Sequence, residues 1–419
     1  MPTSVTIRCP EVPVRGSIQL PPSKSVANRA LILASLAGDL SCVTSIGSAD
    51  DTRILHELLQ DRPEEMHCRD GGTTFRFLLA WACVQQGKEL LITGNARLLE
   101  RPHAPLINAL RALGADIAST GHGFHVRGNK MNGGAVTLDS PESSQFISAL
   151  LLIAPCLTNG LELRWAGLRL SEPYVHMTMK LLARFGAEVR EDAQGIHIAA
   201  GALKAARYTV PADWSAASFW YQVAALAPDA VLHLAGLRAD GLQGDEAVAS
   251  LFAGHVSTRE KDDGLELCSI HSSPAPVFTA DLVRTPDLFQ PLAFTMAALG
   301  RRAEFTGLHN LPLKETDRLK AVADALHVLG IRAQYRGGRF LVEPQGPLRE
   351  AAEGALQETG EGASLPPFDP LGDHRMAMAL APLACVYGSI TILHPEVVNK
   401  SFPGFWGELE RAGFVVRGV

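Results

Sequence analysis

Along the whole chain, apolar runs at helical spacing open on a polar or charged residue, close at a glycine or a Pro-Asp turn, and give way to a short apolar strand. One set of these helices is predicted to start near Ser25, Thr73, Ser144, Trp214, Pro286 and His374, with strand-like phrases such as LLITG, LELRW, VLHLAG, AEFTG and SITIL behind them. A second set interleaves with the first, near Asp50, Arg101, Glu172, Gly244, Glu315 and Pro403. Most of its members end in a shared phrase: ALRALGADI, LLARFGAEV, DALHVLGI, ELERAGFVV. The alternation predicts six strand-helix-strand-helix-strand-strand units. Their period, about 50 to 90 residues, is too long for an ordinary solenoid, so two domains of three units each is the simpler packing. A boundary is expected at residues 208–213, where VPAD separates the third unit from the fourth. Residues 127–134 and 350–367 have loop composition and are expected to be surface insertions.

Polar clusters fall where helices begin. The stretch PPSKSVANRA predicts a helix capped by Ser25 and stopped at Gly38, with Lys24 just ahead and Arg29 one turn in. Its amides, hydroxyls and dipole favour an anion, although GxxxxGK is absent and it is no P-loop. DGGTTFR sets two glycines before a helix that carries Arg76, and Gly72 allows close approach of a ligand to backbone. LLERPH places Arg101 before Pro102, a residue suited to a first helical turn. ESSQF supplies Ser143, Ser144 and Gln145 to a wholly apolar helix, where Gln145 would be costly without a partner. SEPYVHM offers Ser171 and Tyr174. Further on, Asp287 stands in an apolar setting, and LPLKETDRLK packs Lys314, Glu315, Asp317 and Arg318 together. DHRMAM heads a buried helix with Asp373, His374 and Arg375, and Lys400 precedes the last helix. Lys24, Arg76 and Arg101 in the first half, with Lys314, Arg318, Arg375 and Lys400 in the second, fit a substrate pair rich in phosphate and carboxylate. Asp287 and Glu315 are the acids among those cations, where proton transfer is expected.

Composition narrows the classes. With 419 residues, 47% apolar and 20% charged, the chain reads as a two-domain globular protein. A formal charge of -6 gives no general attraction for nucleic acid. The longest apolar run, residues 146–157, is too short to span a bilayer, and no secretory or transit pattern opens the chain. Seven cysteines without a CxxC pair read as reduced thiols of a cytoplasmic protein, and His67 beside Cys68 as structural; no metal and no cofactor is expected.

Taken in order, SKSVANR, DGGTTFR, ERP, SSQF, KETDR, DHRMAM and NKSFP resemble the 5-enolpyruvylshikimate-3-phosphate synthase family from about Gln19 to the end of the chain. The resemblance implies an α/β fold of two globular domains, each of three βαβαββ units in an inside-out α/β barrel. Residues 19–211 would form one domain, residues 1–18 with 212–419 the other, and the active site would lie in the cleft between them. It also implies a monomer that joins shikimate 3-phosphate to phosphoenolpyruvate and releases phosphate. On matching positions, Lys24, Ser25, Arg29, Ser143, Ser144, Gln145, Ser171, Tyr174, Asp287, Asn310 and Lys314 would hold shikimate 3-phosphate. Lys24, Gly72, Arg101, Gln145, Arg318, Arg375 and Lys400 would hold phosphoenolpyruvate, with Lys24, Asp287 and Glu315 catalytic. Asp70, Thr74, Phe75 and Phe77 depart from the commoner pattern, as does LFQP after Asp287. A related enolpyruvyl transferase acting on UDP-N-acetylglucosamine carries a reactive cysteine where residues 98–103 here have none. A non-catalytic anion-binding protein on the same scaffold is the other alternative.

Overall fold

The computed structural model describes residues 4–270, 277–344 and 365–418. The expected insertion at 350–367, apart from its last three residues, lies outside them. The chain divides into two compact units, Pro22–Pro211 and Met1–Pro21 with Ala212–Val419. Residues 19–21, expected in the former, therefore belong with the latter. The strand Arg15–Gln19 explains the shift: it runs parallel to Val231–Ala235 with Gln19 opposite Ala235, and the Gln19 amide donates to Glu408 Oε2 at 3.1 Å.

Within Pro22–Pro211, two four-stranded sheets share one plan. In spatial order they are Glu65–His67, Glu89–Thr93, Gly123–Arg127, Asp116–Thr120, and Gly134–Asp139, Leu161–Ala166, Gly195–Ile198, Val189–Asp192. The first pair of each is parallel and the rest antiparallel, as a helical crossover followed by a hairpin requires. The remaining repeat, the first in chain order, has only Tyr208–Thr209 beside Val43–Thr44. It lacks the closing hairpin because only residues 62–64 separate the helix Asp50–Asp61 from the next strand.

The other unit repeats the plan. Arg15–Gln19, Val231–Ala235, Gly264–Ser269 and Val256–Lys261 form one sheet, and Val277–Asp281, Arg302–Thr306, Arg339–Glu343 and Arg332–Arg336 another. The last is Ser389–Leu393, Ser4–Arg8 and Val415–Arg417, with Phe368 bridged in parallel to Ile392. Its central strand comes from the start of the chain.

The first-set helices form the core of each unit. Lys24–Leu36, Gly72–Cys83 and Ser144–Ile153 pack on one another, as do Trp214–Leu226, Phe289–Ala298 and His374–Leu380. Every residue of Phe289–Ala298 and of His374–Leu380 is buried. A helix apolar on all sides is stable only when covered on all sides, and each large side chain so covered contributes about 1.5–3 kcal/mol. The strands cover them, turning Leu161, Leu163 and Trp165 inward and the residues between outward.

Four local expectations change. Ser23, not Ser25, precedes the first helix, which begins at Lys24, and Ser23 makes no capping hydrogen bond. Pro102 does not open a helix; the chain turns there, and the helix is Ala104–Ala112 with Pro105 in its first turn. Glu315 precedes its helix, because Asp317 accepts from the amides of Leu319 and Lys320 and so fixes the start at Arg318. Residues 127–134 are a packed connector, not a surface insertion: Met131 is 1% exposed, and a Cβ on Gly128 would lie 1.9 Å from the Gln85 carbonyl oxygen.

Candidate active site

In Pro22–Pro211, polar contacts link four helix starts. Lys24 Nζ meets Asp51 Oδ2 at 2.9 Å, and Thr74 Oγ1 donates to the Asp51 carbonyl at 3.0 Å. Gln145 Nε2 donates to Thr73 Oγ1 at 3.0 Å, while Gln145 Oε1 accepts from Arg76 Nη1 at 2.5 Å. This is the partner that an amide at the head of an apolar helix requires. Arg76 is 2% exposed, lies over the Phe146 ring and donates to the Pro102 carbonyl. Arg101 arrives on the turn after Ala96–Leu99, with its Nε buried and without a protein partner. A Cβ on Gly72 would meet Arg101 Nη1 at 2.6 Å and Arg76 Nη1 at 3.3 Å, so only glycine leaves both guanidinium groups at this helix start.

His103 holds the turn that carries Arg101. Its Nε2 lies 2.9 Å from the Leu98 carbonyl oxygen, and its ring packs on Phe75 with centroids 4.6 Å apart. Burial first, then the charges of Arg76 and Arg101, push its pKa down to about 4, so it is neutral near pH 7 and donates to Leu98. Phe75, one of the departures from the family pattern, thus has a packing role, and Asp70 accepts from Asn95 Nδ2 at 2.8 Å.

Arg29 points inward. Nε donates to Thr178 Oγ1 at 2.7 Å, Nη1 to the Ser25 carbonyl at 2.7 Å and Nη2 to Ser148 Oγ at 3.1 Å, using three of its five N–H groups. The Phe77 and Tyr174 rings lie 5.2 and 5.8 Å from its Cζ. Burial outweighs the Tyr174 contribution and lowers its pKa to about 10, which leaves it charged. Arg29 therefore ties the half-buried Ser25 to the helix of Tyr174. Ser143 caps its helix by accepting from the Gln145 amide, and Ser144 is buried. Ser171 is buried in the left-handed region at φ 56°, a conformation a non-glycine residue holds at a cost.

In the other unit, Arg318 is the centre. It is 2% exposed, with Nε 2.7 Å from Asp373 Oδ2, Nη1 2.8 Å from Asp287 Oδ1 and Nη2 3.2 Å from Glu315 Oε2. Arg375 Nη2 and Lys314 Nζ also reach Asp287, at 3.1 and 3.5 Å, and Lys400 Nζ reaches Glu315 Oε1 at 3.0 Å. Lys314, Arg318, Arg375 and Lys400 are thus interleaved with Asp287, Glu315 and Asp373. Burial alone would raise the Asp287 pKa, but Arg375, Lys314 and Arg318 together hold it well below the usual carboxylate range. Burial likewise opposes the Arg318 charge, and its three carboxylates outweigh that. Asn310 is buried, and its Oδ1 has no protein partner.

Sequence reasoning missed Asp51 and Asp245 as members of these clusters. Asp245 is 2% exposed, accepts from Ser215 Oγ and lies near Asp287 and Arg375. Burial and then Asp287 raise its pKa to about 6. Both sit where second-set helices begin, as Glu172 does; an acid recurring at those starts was the available signal. Among the described residues, no three His, Cys, Asp or Glu side chains are grouped to hold a metal ion, and no helix is long and apolar enough to cross a membrane.

The family model for EPSP synthase (3-phosphoshikimate 1-carboxyvinyltransferase) matches residues 9–61 and 57–409. A 3-phosphoshikimate 1-carboxyvinyltransferase from Bacteroides fragilis is 38% identical over 410 residues, 96% of this chain and 97% of the relative. One from Dehalococcoides mccartyi is 32% identical over 423 residues, 95% and 96% of the two chains. In fold, the chain is similar to an EPSP synthase from Acinetobacter baumannii, with a TM-score of 0.73 at 21% identity over 99% of this chain and 100% of the other. It is also similar to an enolpyruvyl transferase from Streptomyces tendae, with a TM-score of 0.72 at 14% identity over 99% and 98%. With its repeats and motifs matched over nearly their whole length, the chain belongs to the EPSP synthase (3-phosphoshikimate 1-carboxyvinyltransferase) family.

Proposed function

We propose that the two clusters act on one pair of substrates and divide the chemistry between them. The reaction transfers the enolpyruvyl group of phosphoenolpyruvate to the 5-hydroxyl of shikimate 3-phosphate by addition and elimination, and releases phosphate, a step of chorismate and aromatic amino acid biosynthesis. The observation that carries the assignment of roles is that Asp287 and Glu315 are each bound to cations that an incoming phosphate or carboxylate would claim.

Shikimate 3-phosphate is held by Lys24, Ser25, Arg29, Ser143, Ser144, Gln145, Ser171 and Tyr174 of Pro22–Pro211, and by Asp287, Asn310 and Lys314 of the other unit. Phosphoenolpyruvate takes Lys24, Gly72, Arg101, Gln145, Arg318, Arg375 and Lys400. When its anionic groups bind Arg318, Arg375 and Lys400, Asp287 and Glu315 lose cationic neighbours, and a carboxylate in that position holds a proton more tightly. Asp287 then accepts the 5-hydroxyl proton as O5 bonds to C2 of phosphoenolpyruvate, and Glu315 donates a proton to C3, which becomes a methyl group. In the elimination Glu315 takes a methyl proton back, the C2–O bond to phosphate breaks, the proton that Asp287 accepted passes to the departing phosphate, and Lys24 stabilises that phosphate. The protein acts as a cytoplasmic monomer without metal or cofactor. Phosphorus NMR of the reaction mixture tests this: the enolpyruvyl ether and phosphate should appear in equal amounts, whereas phosphate without the ether would sink the proposal.

A further inference from the structure

Arg101 sits on a turn with few anchors. From Asn95 to His103 only Leu98 and His103 are buried, while Asn95, Ala96, Arg97 and Glu100 are exposed. The Leu98 carbonyl accepts from the Arg101 amide at 3.2 Å and lies 2.9 Å from His103 Nε2. A carbonyl only accepts, so Nε2 carries the ring proton. The imidazole also completes a ring cluster: its centroid is 4.6 Å from that of Phe75 and 6.1 Å from that of Phe124, which are themselves 6.0 Å apart. Phe75 belongs to the helix Gly72–Cys83, and Phe124 to the strand Gly123–Arg127 packed on it. One side chain therefore fastens the Arg101 turn to the helix that carries Gly72 and Arg76. We propose that His103 is a positioning residue for phosphoenolpyruvate: without touching the substrate, it sets where the Arg101 guanidinium stands at the Gly72 helix start, an inference that rests on Arg101 serving that substrate.

The tolerance at that helix start is small. A Cβ on Gly72 would lie 2.6 Å from Arg101 Nη1, so a guanidinium displaced toward the helix meets backbone, and one displaced outward leaves its place beside Arg76. Arg101 Nε is buried with no partner among the described residues, so the turn itself has to hold the guanidinium. An arginine grips an anion in a fixed fork, and a small misplacement loses affinity. His103 supplies the turn with both a ring for the aromatic cluster and an N–H for the Leu98 carbonyl. Phenylalanine keeps the first and glutamine the second. Loss of the N–H leaves folding intact, because the Leu98 carbonyl keeps the Arg101 amide. It also removes His103 Nδ1, a buried acceptor with no partner among the described residues.

The test is steady-state kinetics of the full-length protein with each substrate varied, and thermal melts, for His103→Phe, His103→Gln, Arg101→Ala and the double variant Arg101→Ala with His103→Phe. His103→Phe should raise the KM for phosphoenolpyruvate about 3- to 10-fold, the usual worth of one hydrogen bond. It should leave kcat and the KM for shikimate 3-phosphate within about twofold, and melt within about 2 °C of the native protein. His103→Gln should bind phosphoenolpyruvate better than His103→Phe does. In the Arg101→Ala background the phenylalanine change should not lower kcat/KM for phosphoenolpyruvate further, because an effect carried by Arg101 disappears with it. An equal loss in both backgrounds, a glutamine variant no better than the phenylalanine one, or a drop in melting temperature with both KM values and kcat altered alike would overturn the proposal. So would an unchanged KM for phosphoenolpyruvate in His103→Phe while Arg101→Ala raises it. An unchanged value in Arg101→Ala itself would instead overturn the assignment of Arg101, and the role of His103 with it.

Discussion

Replacing Arg318 with glutamine, which cannot carry a positive charge, tests whether the charge cluster is as interdependent as its geometry implies. Arg318 is buried and reaches Asp373 at 2.7 Å, Asp287 at 2.8 Å and Glu315 at 3.2 Å; Asp373 is itself fully buried. Glutamine leaves Asp373 without this cation, while Asp287 retains Lys314 and Arg375 and Glu315 retains Lys400. Removing one partner of a buried ion pair costs about 3–5 kcal/mol, because the remaining charge stays desolvated. For a unit of roughly 200 residues that lowers the melting temperature by about 6–20 °C. The pH dependence separates this from a loss of packing. In the native protein Asp287 has a depressed pKa, so its contribution to stability is present above its unfolded pKa of about 3.9 and is lost only as the pH falls through the lower folded value. In the variant the carboxylates that have lost this cation bind protons more readily when folded, so acid relieves part of their cost. Calorimetric scans of both proteins should show the largest difference near about pH 8 and a smaller one near about pH 5. A difference that is constant with pH, or smaller than about 2 °C, would refute the reasoning.

Arg101→Ala and Arg375→Ala should each weaken phosphoenolpyruvate binding by about 2–5 kcal/mol, measured by calorimetry in the presence of shikimate 3-phosphate. Glu315→Gln should lower kcat by about 10²–10⁴-fold with little change in either KM; a loss confined to KM would assign Glu315 to binding. Gly72→Ala should raise the KM for phosphoenolpyruvate more than it lowers kcat, since the new Cβ lies 2.6 Å from Arg101 Nη1 and the guanidinium must move; unchanged kinetics would mean that Arg101 does not serve that substrate.

The repeat was legible because it is written twice, in the apolar helices and in the shared phrases that close the second set. Even so, the hairpin absent from the first repeat was not foreseen, since helical spacing reports helices and not the three residues left between Asp50–Asp61 and Glu65–His67. Helix starts drifted by one to three residues wherever a cap competed: Asp317 took the place expected for Glu315, and the turn at Pro102 displaced the helix to Ala104. Gln145 was legible as a residue needing a partner, and Arg76 is that partner. What a linear reading could not supply was pairing. Asp51 beside Lys24 and Asp245 beside Asp287 join segments distant in sequence, and the inward turn of Arg29 depends on Thr178 and Ser148 from two other helices.

The central claim, that these clusters perform enolpyruvyl transfer to shikimate 3-phosphate, is met most directly by following phosphate release from the purified protein with each substrate alone, with both, and with both in the presence of a chelator. Phosphate should appear only when shikimate 3-phosphate and phosphoenolpyruvate are present together, at a rate the chelator leaves unchanged. Release from phosphoenolpyruvate with UDP-N-acetylglucosamine in place of the shikimate ester, or a strict requirement for magnesium, would contradict the account.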